Sequence, residues 1–272
     1  MRREEAARSP VRHPAVAGMF YPADPETLAS TIDSYLAGVD VPEGDRLAAA
    51  YVVPHAGYRF SGRVAAHVYA RLRKHAARIR RVVLLGPAHK VPLKGCAVPS
   101  AERWLTPLGE VDVDPVTRGL AHDGHARVDD APHAPEHSLE VQVPFVQRAL
   151  PGRAVVPVCV GVSTSDDVVV TIAALAGEPD TVVLCSTDLS HYLPDDQARR
   201  QDERTAGAIE ALAADRIGVR DACGVFALRG TVAWAAHTGL RVTRLALATS
   251  ADVPAGDPSR VVGYPAFSFH RT

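Results

Sequence analysis

The chain alternates short, nearly continuous apolar runs with longer segments in which apolar residues recur every three or four positions. Runs of the first kind suit strands buried on both faces of a sheet, and segments of the second kind suit amphipathic helices covering it. Strands are expected at 47–53, 81–85, 154–160, 181–185, 241–249 and 261–269. Helical spacing covers 23–36, 61–80, 166–175, 195–214 and 230–238, and a further helix is expected over 138–150 around an internal Pro144. The helix at 61–80 carries Val64, Val68, Leu72 and Ile79 along its apolar side. The stretch between 86 and 137 reads as loop-rich. Alternating strands and helices predict a layered α/β fold, with a central mostly parallel or mixed sheet flanked by helices. No repeat, linker or composition shift divides the 272 residues, so a single domain is expected over 1–272, with 1–13 as a flexible or peripheral N-terminal segment.

Composition narrows the classes. Apolar residues make up 47% and charged residues 22%, ordinary for a globular protein. A formal net charge of -1 provides no global pull toward nucleic acid or an anionic membrane. The basic cluster Arg71, Arg73, Lys74, Arg78, Arg80 and Arg81 lies on an expected helix and its exit, and reads as a solvated face. The N-terminus is charged and lacks a signal-peptide apolar stretch, and the run 168–176 is far shorter than the roughly 20 residues of a membrane span. A cytoplasmic protein with neither nucleic acid nor membrane as partner is expected. Cys96, Cys159, Cys185 and Cys223 show no paired spacing and should be reduced thiols. Cys159 and Cys185 sit in strand-like runs, where a thiol acts as a small hydrophobe.

Three of the strands run directly into residues capable of chemistry. YVVP is followed by His55, VVLLGPA by His89, and TVVLCST by Asp188 and His191. Loops beyond the carboxyl ends of strands in α/β sheets converge on one crevice, and imidazole is both the commonest metal ligand and an acid/base group at neutral pH. Asp188-x-x-His191 places two groups on one turn, although Asp188 also suits a helix N-cap. Ser186, Thr187 and Ser190 read as local backbone caps. Glu136 and His137 precede another expected helix, either as exposed loop residues or at the rim of the crevice, binding substrate or supporting a ligand. Cys223 before Gly224 reads by itself as a buried structural thiol.

Taken in order, PAVAGMFYPADP, PHAGYRFSG, LLGPAHK, EHSLEVQVPF, STDLSHY, ACG and VVGYPAFSF resemble the Memo family, whose bacterial and archaeal members are called AmmeMemoRadiSam system protein B. The resemblance spans Pro14 to Phe269. It implies a fold similar to class III extradiol dioxygenases, with metal ligands on His55, His89 and Cys223. By the same resemblance His191 and Asp188 are the catalytic pair, and Glu136, His137, Tyr58 and Tyr192 contact substrate. The dioxygenases hold Fe(II) with two histidines and a carboxylate, and a thiolate in place of the carboxylate also suits copper or zinc.

These expectations lead to a divalent-metal protein, most simply an Fe(II) or copper oxidoreductase of dioxygenase-like type. A zinc hydrolase uses a similar donor set. The pocket is expected to take a small molecule or peptide, and a third reading is a non-enzymatic module that binds a peptide or partner protein there, lined by aromatics among Phe20, Tyr21, Tyr58, Phe60, Trp104 and Tyr192. The family resemblance implies radical SAM and AMMECR1-type partner proteins.

Overall fold

A computed structural model describes residues 11–178 and 180–272. Along the chain, β1 (Val11–Arg12) leads to α1 (Pro25–Ala37), β2 (Ala50–Val53), α2 (Tyr58–Lys74) and β3 (Arg81–Pro87). The middle contains β4 (Cys96–Val98), β5 (Arg103–Thr106), β6 (Gly109–Asp112), α3 (Val116–His122), β7 (Arg127–Val128) and α4 (Gln142–Ala149). Then follow β8 (Ala154–Val160), α5 (Ser165–Ala176), β9 (Thr181–Ser186), β10 (His191–Leu193), α6 (Asp195–Glu210), α7 (Val225–His237), β11 (Arg241–Thr249) and β12 (Val261–His270).

The main sheet has the order β10-β12-β2-β9-β3-β8-β4-β7, with β11 also paired to β12. Its centre, β2-β9-β3-β8, is parallel, while β12 runs antiparallel to β2, β10 and β11. Successive residues of the central strands serve two cores. In β3, Val82 and Leu84 face the layer formed by α1, α2 and α4, whereas Val83 and Leu85 face α5, α6 and α7. This period-two alternation of apolar side chains on both faces is why the strands read as unbroken apolar runs. Two helices, α1 and α5, are fixed at their starts by side chains: Asp24 accepts the Thr27 N–H at 2.8 Å ahead of Pro25, and Thr164 with Asp167 forms a capping box.

The mixed, helix-flanked sheet is the expected architecture, and several boundaries shift for local reasons. The helix expected to start at 138 begins at Gln142, so Pro144 falls in its first turn, where its missing N–H costs nothing. The helix expected at 195–214 ends at Glu210, just before Leu212 takes a φ of 54°. The helix expected at 230–238 begins five residues earlier, at Val225. The middle stretch expected to be loops holds β4 to β7 and α3, and β5 with β6 joins β1 in a second, three-stranded sheet.

The N-terminal expectation changes too. Residues 1–10 lie outside the described residues. Val11 and Arg12, expected to be peripheral, pair in parallel with Arg103 and Trp104 of β5, and Arg12 is buried. Two members of the basic cluster are also inside. Arg71 pairs with Asp45 at 3.1 Å and Arg81 with Asp114 at 2.7 Å, while Arg73, Lys74, Arg78 and Arg80 are exposed. No helix among the described residues is long and apolar enough to cross a membrane.

Candidate metal centre

Adjacent parallel strands β2, β9 and β3 end at the same edge of the sheet, so the segments following them meet there. His55 follows β2, His89 follows β3, and Asp188 and His191 follow β9. The turn before α4 brings Glu136, His137 and Ser138 to this edge, and the start of α7 brings Cys223. Small residues permit the approach. A Cβ on Gly224 would lie 2.9 Å from the Thr187 Cβ, and one on Gly86 would lie 2.8 Å from a Leu139 methyl carbon.

The imidazoles of His55, His89 and His137 form the core of the centre, with one ligand atom from each within 4.8 Å of the others. The His89 and His137 rings stack at 4.8 Å, and both lie edge-on to His55, at 5.2 and 5.4 Å. Cys223, the expected third ligand, lies outside this group of three, where His137 stands instead, but its Sγ is 3.2 Å from His55 Nε2. His55 is buried, whereas the His89 side chain is 26% exposed, so the cluster opens to solvent on the His89 side.

Glu136 lies behind this cluster. Its Oε2 accepts the His89 backbone N–H at 2.5 Å and its Oε1 lies 2.9 Å from His89 Nδ1. Oε1 also accepts the backbone N–H groups of His137 and Ser138 at 2.9 Å each. Burial alone would raise this carboxyl, but the imidazoles of His137 and His89 and the Ser138 N–H hold it well below the usual carboxylate range. An ionised carboxylate only accepts hydrogen bonds, so His89 carries its proton on Nδ1 and presents a bare Nε2. His137 Nδ1 is buried and lies 3.2 Å from the same oxygen, an electrostatic contact with no hydrogen-bond partner among the described residues.

Asp188 supports the opposite wall. Its Oδ1 accepts the His55 backbone N–H at 2.8 Å, Oδ2 lies 4.0 Å from His55 Nε2, and its own N–H points at Cys223 Sγ at 3.3 Å. Burial pushes the Asp188 carboxyl up to about 7 against the backbone N–H groups of His55 and Ala56. Burial and the neighbouring Asp188 likewise push the Cys223 thiol up. Burial, with the crowding of the His89 and His137 imidazoles, pushes His55 well down and favours the neutral ring. His191 donates from Nδ1 to the Leu189 carbonyl at 2.7 Å, which leaves its Nε2 bare, and burial lowers it.

The residues expected to contact substrate divide. His137 is part of the imidazole cluster itself. Glu136 is 1% exposed with both oxygens engaged, which makes it the orienting group behind His89 and removes it from the substrate-facing wall. Tyr58 likewise leaves that wall: it is 4% exposed, packs between Tyr21 and Phe145, and donates its hydroxyl to the Val141 carbonyl at 2.7 Å. Tyr192 lies on the surface at a bulge in β10 with a φ of 61°, its ring 5.7 Å from His191 and under the Arg260 guanidinium. Of the aromatics considered for a recognition surface, Tyr21, Tyr58 and Trp104 are core residues, while Phe20 lies 4.6 Å from the His137 ring. Ser186, expected only to cap backbone, touches His55, and Gln142 was not singled out. Its signal was a polar residue inside the apolar run LEVQVPF, which a buried face tolerates only with partners.

Fold and site together define an α/β protein with a histidine-rich candidate metal centre at the carboxyl edge of its parallel strands. The profile described as Memo-like protein matches residues 12–268. A MEMO1 family protein of Methanopyrus kandleri is 40% identical over 96% of this chain and 99% of its own length. One from Archaeoglobus fulgidus is 35% identical over 95% and 99%, respectively. The chain belongs to the Memo family. The crystal structure of an uncharacterized protein from Escherichia coli K12 matches with a TM-score of 0.52 at 13% identity, covering 79% of this chain and 98% of that one, a likeness of fold alone.

Proposed function

We propose that the protein is a metal-dependent oxidoreductase of dioxygenase-like type, with Fe(II) or copper held at the His55, His89, His137 and Cys223 cluster. The observation that carries this reading is the convergence of three imidazole ligand atoms within 4.8 Å. The donors fit a metal: His89 is locked in the tautomer that bares Nε2, and the His137 ring stacks on it at 4.8 Å with a ligand nitrogen in the same group of three. Imidazole and thiolate donors suit iron, copper and zinc, and a coordinated thiol loses its proton however high its pKa is in the bare site. When bound, a redox-active ion supplies electron transfer and Lewis acidity.

The chain's own residues supply the rest. In this reading His191, whose Nδ1 donates to the Leu189 carbonyl, takes a proton from a bound substrate through its bare Nε2. Asp188 holds the His55 peptide and the Cys223 loop together. Association with radical SAM and AMMECR1-type proteins belongs to the same reading.

The test is metal analysis of protein purified anaerobically, beside His55→Ala and Cys223→Ser. About one iron or copper per chain, lost in both variants, supports the redox centre and justifies a screen of oxygen-dependent substrates. Zinc at similar occupancy would move the assignment to hydrolysis. No metal under any loading condition would sink the proposal.

A further inference from the structure

The hydroxyl of Ser186, the last residue of β9, is the meeting point of three groups in the buried wall behind His55. It donates to the Ser138 carbonyl at 2.7 Å and accepts from Gln142 Nε2 at 2.9 Å. It also lies 2.9 Å from His55 Nδ1. The orientation of the Gln142 amide is fixed independently. Its Nε2 also donates to the Pro54 carbonyl at 2.9 Å, and its Oε1 accepts the Tyr69 hydroxyl at 2.8 Å, so a flipped amide would set oxygen against oxygen.

A hydroxyl has one proton and two lone pairs. The Ser138 carbonyl can only accept, so it takes the Ser186 proton. Gln142 Nε2 can only donate, so it fills one lone pair. The remaining lone pair faces His55 Nδ1, which must therefore carry a hydrogen. The proton count then leaves Nε2 of neutral His55 bare, directed toward Cys223 Sγ at 3.2 Å. On that side of the ring the groups that could draw a proton to Nε2 are the thiol and, farther off at 4.0 Å, Asp188 Oδ2, beyond hydrogen-bond reach.

We infer that Ser186 is a positioning residue for the metal centre: held by Gln142 and the Ser138 carbonyl, it fixes the His55 tautomer so that Nε2 is the ligand atom. The inference rests on the reading of this cluster as a metal centre, but its core claim concerns the protein without metal. The His89 side of the cluster is set by a carboxylate, Glu136. The His55 side is set by a neutral chain running from Tyr69 on α2 through Gln142 on α4 to Ser186. Such outer hydrogen bonds typically change metal affinity about 10–100-fold when removed.

The test is long-range proton–nitrogen correlation NMR of the metal-free protein labelled at histidine nitrogen, with His55 assigned by its loss in His55→Ala. Wild type should show His55 protonated at Nδ1. In Ser186→Ala the ring loses that acceptor, and a proton moved to Nε2 finds Cys223 Sγ and, at 4.0 Å, Asp188 Oδ2. That variant should show the Nε2–H tautomer or a mixture, with Zn(II) and Fe(II) binding weakened about 10–100-fold. Ser186→Thr, which keeps the hydroxyl, should restore both readouts. A wild-type His55 protonated at Nε2, or a wild-type tautomer retained in Ser186→Ala, overturns the inference. The wild-type spectrum decides this even where Ser186→Ala is too unstable to label. If wild type has the expected tautomer but binds neither ion, the metal reading fails and the positioning role with it, while the hydrogen-bond assignment stands.

Discussion

Glu136 grips His89 at both ends, one carboxylate oxygen accepting its backbone N–H and the other its Nδ1–H. A carboxylate in this position removes rotational freedom from the ring and increases the electron density on the opposite nitrogen. Glu136→Gln should keep the shape but place an NH2 group where an acceptor is needed. Affinity for Zn(II) and Fe(II) is expected to drop about 10–100-fold, read by competition with a chelator of known affinity. The acid limb should change as well. A carboxyl held below its ordinary range contributes stability above pH 4.5 that is lost as the pH falls further. The variant should therefore lose less stability on strong acidification. Unchanged affinity would sink the orienting role.

Arg12 is the anchor of the segment that carries Glu136. Its guanidinium donates to Glu140 at 2.7 Å, to the Glu136 carbonyl at 2.8 Å and to the His133 carbonyl at 2.9 Å, and lies 4.3 Å over the Trp104 ring. Glu140 also accepts the Tyr21 hydroxyl and the N–H groups of Ala15 and Val16. Arg12→Met keeps most of the packing but leaves a buried carboxylate without its cation. Breaking such a pair costs about 3–5 kcal/mol, to be read from urea unfolding midpoints. A loss below about 1 kcal/mol, typical of exposed pairs, would show that the pair does not hold this segment.

The two halves of this problem were unequally legible. The strand β8 matched its apolar run at both ends, because burial on a sheet imposes a pattern visible residue by residue; β11 also matched at both ends, although only Thr249 in it is buried. The strands β4 to β7 are three or four residues long or shorter, too brief for any period to show. At the site, His55, His89 and His191 were legible because each follows a run that could only be a strand. The role of His137 was not, since the turn before α4 is aimed by long-range contacts such as the Ser138 hydroxyl donating to the Pro87 carbonyl. The Arg12–Glu140 pair is 128 residues apart in sequence, and no local pattern announces it.

Asp202 should leave its mark on the pH dependence of stability. Its Oδ1 accepts the Ser190 N–H at 2.9 Å, whereas Oδ2 is buried without a partner among the described residues, close against Gly263. Burial, aided by the charge of Asp221, pushes its carboxyl up from 3.8 to about 6. Because the folded state favours the protonated form, the contribution is fully present below the unfolded value and is lost as the pH rises through about 6. A shift of this size corresponds to about 3 kcal/mol. Asp202→Asn cannot ionise and should lack this decline. Unfolding midpoints of both proteins across that window should therefore converge at the acid end and separate toward neutrality, the variant being the more stable. Parallel curves would rule the idea out.

Gly224 links the thiol to the sheet. The Cys223 N–H donates to the Asp188 carbonyl at 3.1 Å and the Gly224 N–H to the Thr187 hydroxyl at 3.0 Å, so these two residues lie flat against the exit of β9. A methyl group at 224 would meet the Thr187 Cβ and Oγ1 at 2.9 Å and the Ser186 carbonyl oxygen at 3.0 Å. None of these is the far end of a flexible side chain, so the loop must move away from the strand. Overpacking of this kind costs about 1–3 kcal/mol. Its direction is informative, because the displacement carries Cys223 Sγ away from His55 Nε2 while leaving both side chains intact. Gly224→Ala should therefore weaken metal binding more than Ala222→Gly, which changes the loop without adding an atom against β9. Equal affinities for the two variants, with Gly224→Ala destabilised as expected, would show that the thiol is not part of the metal's coordination.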